Sequence, residues 1–178
     1  MNALIANQIL QQAELLYSEQ QIKQAYQELA QQINQQLAET DPIIMVVMNG
    51  GLIPAGQLLP LLSFPFVLDY IHATRYRNKT TGSELKWRKR PEASLTGRTI
   101  LIIDDILDEG YTLEAIVKDC QLQQPKQILS AVLVNKVHQR GCDFKADFIG
   151  FDIVDRYVFG CGMDYKGYWR QLKEIYAI

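Results

Sequence analysis

Cysteine is scarce in this chain. Cys120, Cys142 and Cys161 are an odd, scattered set with no CxxC. That argues against a disulfide framework or a zinc site and predicts a reduced, cytoplasmic chain with buried thiols. Long apolar runs are also missing. None approaches the ~18 residues a membrane span needs, so no membrane partner is expected. The opening residues, MNALIANQILQQ, lack the basic stretch and cleavage pattern of a secretory signal. Charge of one sign is absent too: 18 Lys and Arg face 20 Asp and Glu, a net charge of −2. Such balance argues against a generally basic nucleic-acid face and against an acidic disordered tail. What the chain does have is 178 residues of which 48% are apolar, enough for one self-sufficient core.

The first 40 residues are rich in Gln, yet Ile22, Tyr26, Leu29, Ile33 and Leu37 recur every three or four positions. With Ser18 and Gln21 as a capping box, they predict an amphipathic helix ending before Asp41-Pro42. Beyond it, apolar runs of strand length alternate with helical stretches. Residues 43–48 (IIMVVM), 99–103 (TILII) and 128–134 (ILSAVLV) read as strands buried on both faces, and 66–72 as a further strand. Helices are expected over 52–62 and from about 112 to 122. The alternation predicts an α/β fold with a parallel sheet covered by helices. Ligands of such sheets bind at the carboxyl ends of the strands, which directs attention to the residues after 48, 103 and 134. Residues 75–90 have no apolar period and are expected to form a loop or weak hairpin, and the aromatic-rich last 40 residues a small appendage.

LIIDDILDEGYTLEAIV, residues 101–117, is the most informative segment. Asp104, Asp105, Asp108 and Glu109 put four carboxylates within six residues, a repulsion that cations or hydroxyl donors would offset. Mg²⁺ and sugar hydroxyls supply both. Gly110 suits a tight loop, and Thr112 falls where a helix N-terminus favours a phosphate. An Asp pair after a strand is also found at ordinary acidic strand ends, as in receiver-type domains. The longer string, an apolar run followed by Asp-Asp, two apolar residues and Asp-x-Gly-x-Thr, is far more specific.

That string resembles the phosphoribosyl-diphosphate (PRPP) signature of the type I phosphoribosyltransferases, and three further segments are similar to their hypoxanthine-guanine branch. The likeness runs from about residue 43 to the end. It implies a parallel-sheet core over about residues 40–145. A small hood lobe would be built from the N-terminal helix and residues 146–178. It further implies a Mg²⁺-dependent, cytoplasmic transferase that joins PRPP to hypoxanthine or guanine and assembles as a homodimer or homotetramer.

The site residues carried over by the resemblance are these. Asp104 and Asp105 would hold the ribose hydroxyls and the metal. Asp108 would be the catalytic base for ring nitrogen seven of the purine. Ile106, Leu107, Asp108, Glu109, Gly110, Tyr111 and Thr112 would wrap the 5′-phosphate and ribose. In MNGGLIPAGQLL, Met48, Asn49, Gly50 and Gly51 match the pyrophosphate loop, with a cis peptide expected at Met48–Asn49. In VNKVHQR, Lys136 matches the Lys that donates to the 6-oxo group. Near the C-terminus, Tyr157 matches the aromatic stacked on the base and Val158 the residue whose backbone reads its edge. Asp164 matches a ligand of a second Mg²⁺, and Arg170 a guanidinium on pyrophosphate. Arg75 and Tyr76 stand in the region of the mobile lid. Two departures fall inside the signature. Glu109 stands where Thr or Ser is frequent, so its side chain is expected to point away from the phosphate. Tyr111 replaces a frequent Lys.

Charge patterning refines the near-zero net charge. Residues 75–90 carry seven basic side chains and one acidic, against four carboxylates in 104–109. Two opposed clusters suit a polyphosphate and its metal. The competing interpretation is a regulator of the same fold that senses PRPP or nucleotides and binds RNA through the basic segment. A sensor needs neither a base at Asp108 nor a donor at Lys136.

Overall fold

A computed structural model of the chain describes residues 1–75, 85–139 and 141–178. The chain enters through α1 (Ala3–Gln12), whose Asn2 cap accepts a hydrogen bond from the Ile5 N–H, and a short β1 (Glu14–Tyr17). Then comes α2 (Glu19–Leu37), opened by the expected capping box. The Gln21 N–H donates to Ser18 Oγ, and the Ser18 N–H donates to Gln21 Oε1. The helix buries Ile22, Tyr26, Leu29, Ile33 and Leu37 and leaves most of its glutamines wet.

The remaining elements are β2 (Ile43–Val47), α3 (Leu52–Leu58) with a 3₁₀ turn (Leu59–Leu61), β3 (Val67–Arg75), β4 (Leu85–Lys89), β5 (Thr99–Leu107), α4 (Tyr111–Gln121), β6 (Gln127–Val137), β7 (Phe148–Val154), β8 (Val158–Phe159) and β9 (Ile175–Ala177). Six of the strands form one sheet in the order β4-β3-β2-β5-β6-β7. Every pair in it is parallel except β3–β4. The apolar runs are buried on both faces because alternate side chains serve two cores. Ile44, Val46, Leu101 and Ile103 pack with α2 and α3, whereas Ile43, Met45, Val47, Ile100 and Ile102 pack with Leu113 and Ile116 of α4.

The connections diverge at the centre. β2 leads through α3 to its neighbour on one side, and β5 leads through α4 to its neighbour on the other. The crevice between the carboxyl ends of β2 and β5 is therefore the topological switch point, the place where such a sheet admits ligands.

Several boundaries differ from the sequence reading: the helix expected over 52–62 stops at Leu58 and tightens into the 3₁₀ turn, and the strand expected over 66–72 runs on to Arg75. β5 runs to Leu107 because its pairing with β6 continues as far as Leu107↔Asn135, and β6 runs to Val137 because its pairing with β7 continues to Val137↔Val154. Asp104, Asp105 and Lys136 thus lie inside strands instead of just past them. Residues 148–154, counted with the C-terminal appendage, pair with β6 as an edge strand of the large sheet. The separate small sheet has the order β1-β9-β8 and is antiparallel throughout. It is tied to the N-terminal segment by Arg156 on Glu14 at 2.7 Å and by the Trp169 Nε1–H donating to Ala6 O at 2.8 Å. No helix among the described residues is long and apolar enough to cross a membrane.

Candidate active site

The residues after β2 turn sharply. The Met48–Asn49 peptide is cis, the Gly51 N–H bonds back to Val47 O at 2.8 Å, and α3 starts at once. Glycine is demanded here by close approach. A Cβ at Gly50 would lie 2.3–2.6 Å from the Asp105 carboxylate, and one at Gly51 would lie 2.6–2.7 Å from the Ile103 and Val47 carbonyls. The loop after β2 is thereby pressed onto the end of β5.

β5 delivers Asp104 and Asp105 almost buried, at 9% and 8% exposed. Burial raises the Asp104 carboxyl well above its usual range, and the neighbouring Asp105 charge adds to the shift. Asp105 is raised too, by burial, with the Arg170 guanidinium opposing. Arg170 lies 3.8 Å from Asp105, is paired with Asp164 and donates to Gly162 O at 2.6 Å. The other Asp164 oxygen accepts the Gly167 N–H at 2.6 Å. Asp104, Asp105 and Asp164 are hard oxygen donors, and the first two are buried carboxylates in need of a counter-charge. That chemistry fits Mg²⁺.

The chain then wraps into α4 through Gly110, in the left-handed region at φ 81°, which has no side chain with which to cap the helix. The positive end of the α4 dipole is thereby turned toward the loop, a place that favours an anion. Glu109 is tied by its backbone. Its carbonyl accepts the Cys142 N–H at 3.0 Å.

Asp108 meets β6 and its continuation. Its Oδ2 lies 3.0 Å from Lys136 Nζ and its Oδ1 2.8 Å from His138 Nε2. Lys136 is 9% exposed and also lies 4.0 Å from Asp155. Asp108, His138 and Asp155 hold their ligand atoms within 4.8 Å of one another, so the set has the makings of a cation site. The Lys136 ammonium already supplies positive charge to it.

Tyr157 is 48% exposed, its ring set edge-on to Tyr165 and its hydroxyl donating to Asp164 O at 3.1 Å. Val158 is buried in β8.

Two cavities of about 450 Å³ each use these residues. One is lined by the 104–113 loop and Ala73, the other by Lys136, Asp155, Tyr157, Val158 and Asp164 among others. Asp105, Ile106 and Asp108 belong to both walls. The structure thus brings together Asp104 to Thr112, Lys136, Tyr157, Val158, Asp164, Arg170 and the 48–51 turn. Of the lid residues, Arg75 ends β3 and Tyr76 lies outside the described residues, as does most of the basic segment. Its described end is engaged within the fold: Lys89 pairs with Glu92 at 2.9 Å and Arg90 with Asp119 at 2.5 Å.

His138 and Asp155 escaped the sequence reading. The available signal was the two-residue spacing of Lys136 and His138, which along a strand puts both on one side.

Comparisons with known proteins agree with this geometry. A phosphoribosyl transferase domain model matches residues 12–166. The hypoxanthine-guanine phosphoribosyltransferase of Bacillus subtilis is 34% identical over 162 residues, 90% of each chain. That of Aquifex aeolicus is 30% identical over 166 residues, 92% of this chain and 93% of the relative. A crystal structure of a hypoxanthine phosphoribosyltransferase from Staphylococcus aureus superposes with a TM-score of 0.90 at 25% identity, covering 100% of this chain and 96% of that one. The chain therefore belongs to the phosphoribosyl transferase domain family.

Proposed function

We propose that this protein transfers 5-phosphoribose from PRPP to hypoxanthine or guanine, releasing pyrophosphate, with Mg²⁺ as its cofactor. The observation that carries the reading is Asp108 on the wall common to both cavities. One cavity has a helix N-terminus and carboxylates suited to a ribose phosphate, the other an ammonium and an exposed aromatic ring suited to an oxopurine.

In this reading the base's N9 attacks C1′ while the bond from C1′ to pyrophosphate breaks, through an oxocarbenium-like centre. The proton on ring nitrogen seven passes to Asp108. Backbone N–H groups at the start of α4 and the Thr112 hydroxyl hold the 5′-phosphate. Arg170 and the N–H groups of Asn49 and Gly50 take up the diphosphate charge. When bound, Mg²⁺ supplies neutralisation of the diphosphate, held through Asp104 and Asp105 with Asp164 as a second point of attachment.

Lys136 explains the choice of base. An ammonium donates to a 6-oxo group and finds no acceptor in a 6-amino group, so adenine offers Lys136 no hydrogen bond to exchange for its contact with Asp108. The ring of Tyr157 stacks on the purine.

The reading extends to a homodimer or homotetramer, for which exposed Val67, Leu68 and Tyr70 on β3 offer apolar surface; light scattering on the purified chain tests it. The deciding experiment for activity is an assay with PRPP, Mg²⁺ and each of hypoxanthine, guanine, xanthine and adenine. Turnover of the oxopurines with adenine inert is the expected result. No turnover with any purine would return the choice to a PRPP-sensing regulator.

A further inference from the structure

The Asp108 carboxylate is gripped at both oxygens by donors from a single strand and its continuation, Lys136 on Oδ2 and His138 on Oδ1. A carboxylate only accepts hydrogen bonds, so Nε2 of His138 carries the hydrogen in this contact. The two donors have different prospects once a purine arrives. Lys136 lines the base cavity and can swing an N–H toward the incoming oxo group. His138 lines neither cavity, and its side chain is only 7% exposed beside an Asp108 that is 42% exposed. It touches the acid and stays clear of the space a substrate would fill.

We propose that His138 is a positioning residue for the proton transfer. Its Nε2–H holds Asp108 Oδ1 in place, so that Oδ2 remains aimed into the base cavity when Lys136 is recruited to the substrate. Loss of this bond takes a restraint off the loop carboxylate at the moment Lys136 is withdrawn from its other oxygen. An acid placed about 1 Å off line loses ~100-fold in rate, so the restraint bears on turnover more than on binding. This inference rests on Asp108 accepting the purine's proton.

The test compares His138→Phe, His138→Gln, Asp108→Asn and the double variant His138→Phe/Asp108→Asn in the full chain, with kcat and KM for PRPP and hypoxanthine. His138→Phe keeps the ring volume and removes the donor, whereas His138→Gln keeps an N–H donor without an imidazole. A kcat lowered ~10-fold or more in His138→Phe, with the KM for PRPP within about twofold, is expected. His138→Gln should recover most of the loss, and His138→Phe should cost nothing further in the Asp108→Asn background. Wild-type kcat in His138→Phe overturns the proposal, as does a folded His138→Gln no better than His138→Phe. If His138→Phe does not fold, His138→Leu, which likewise lacks the donor, is read in its place: a lowered kcat that His138→Gln recovers supports the donor role, and wild-type kcat overturns it. Full activity in Asp108→Asn would instead overturn the assignment of the base itself, so the two failures are told apart.

Discussion

Gly50 and Asp105 share one space: a Cβ on the glycine would sit 2.3 Å from Asp105 Oδ2. Gly162 closes the same corner, since a Cβ there would come within 2.2 Å of Gly50 O. Three segments distant in sequence converge on a point that holds no spare methyl group. Gly50→Ala must displace a buried carboxylate or the loop itself. Transfer activity should fall at least ~100-fold, in line with the cost of a 1 Å misplacement. Steady-state kinetics with PRPP varied will read it, and an unchanged kcat/KM would refute the crowding.

Asp104 predicts a trade between stability and activity. Its carboxyl is raised well above the ordinary range by burial and by Asp105. For an acid whose folded pKa is raised, stability is fully present below the unfolded value near 4 and is lost as pH rises through the folded value. At neutral pH the ligand-free protein therefore carries a cost that Asp104→Asn removes. The variant should melt higher, by ~2–4 °C for each kcal/mol relieved, while phosphoribosyl transfer drops. Calorimetry and the purine assay, run on the same preparation, check both halves.

Tyr26 lies in the buried face of α2, and its hydroxyl has no hydrogen-bond partner among the described residues. Burial, with Cys161 and Asp105 nearby, pushes its pKa far up, so the group stays protonated. Desolvating an unpaired hydroxyl costs ~1–3 kcal/mol, and Tyr26→Phe removes the cost while keeping the ring. Urea unfolding of Tyr26→Phe should give a midpoint equal to or above that of the wild type. A marked drop would reveal a partner for the hydroxyl.

The thiols set an alkaline limit. Burial pushes Cys120 up to about 11 and Cys161 up to about 12, from 9.0 in each case. Above pH 9 the unfolded chain sheds these protons and the folded chain keeps them, so stability present below pH 9 declines as pH climbs toward 11. Urea midpoints at pH 7, 9 and 10.5 should fall in that order, and Cys161→Ala should flatten the slope. In the folded protein at pH 8, a thiol reagent should reach Cys142 and spare the other two.

How much of this was legible beforehand follows the range of each interaction. The parallel sheet could be read from residues 43–48 and 99–103 because continuous apolar runs leave few alternatives to two-sided burial. The capping box of α2 was equally local. β1 could not be read, since its four residues are half exposed and have their partner, β9, at the other end of the chain. α1 buries only Ala6 and leaves Leu4 and Ile5 exposed, so its periodicity carried little signal. In the site, Asp104 to Thr112 formed one contiguous string and were legible together. His138 was not, because its meaning comes from a distance to Asp108 across 30 positions.

The small sheet orders events in time as well as space. Its middle strand is β9, and both β1 and β8 hydrogen-bond only through it. Ile175 to Ala177 are among the last of these residues to leave the ribosome, so β1 waits unpaired through the synthesis of nearly everything between. Val158, which lines the base cavity, waits with it. A nascent chain can thus complete the 104–112 loop while the purine side of the pocket is still open, so the phosphate side of the site is built before the side that selects the base.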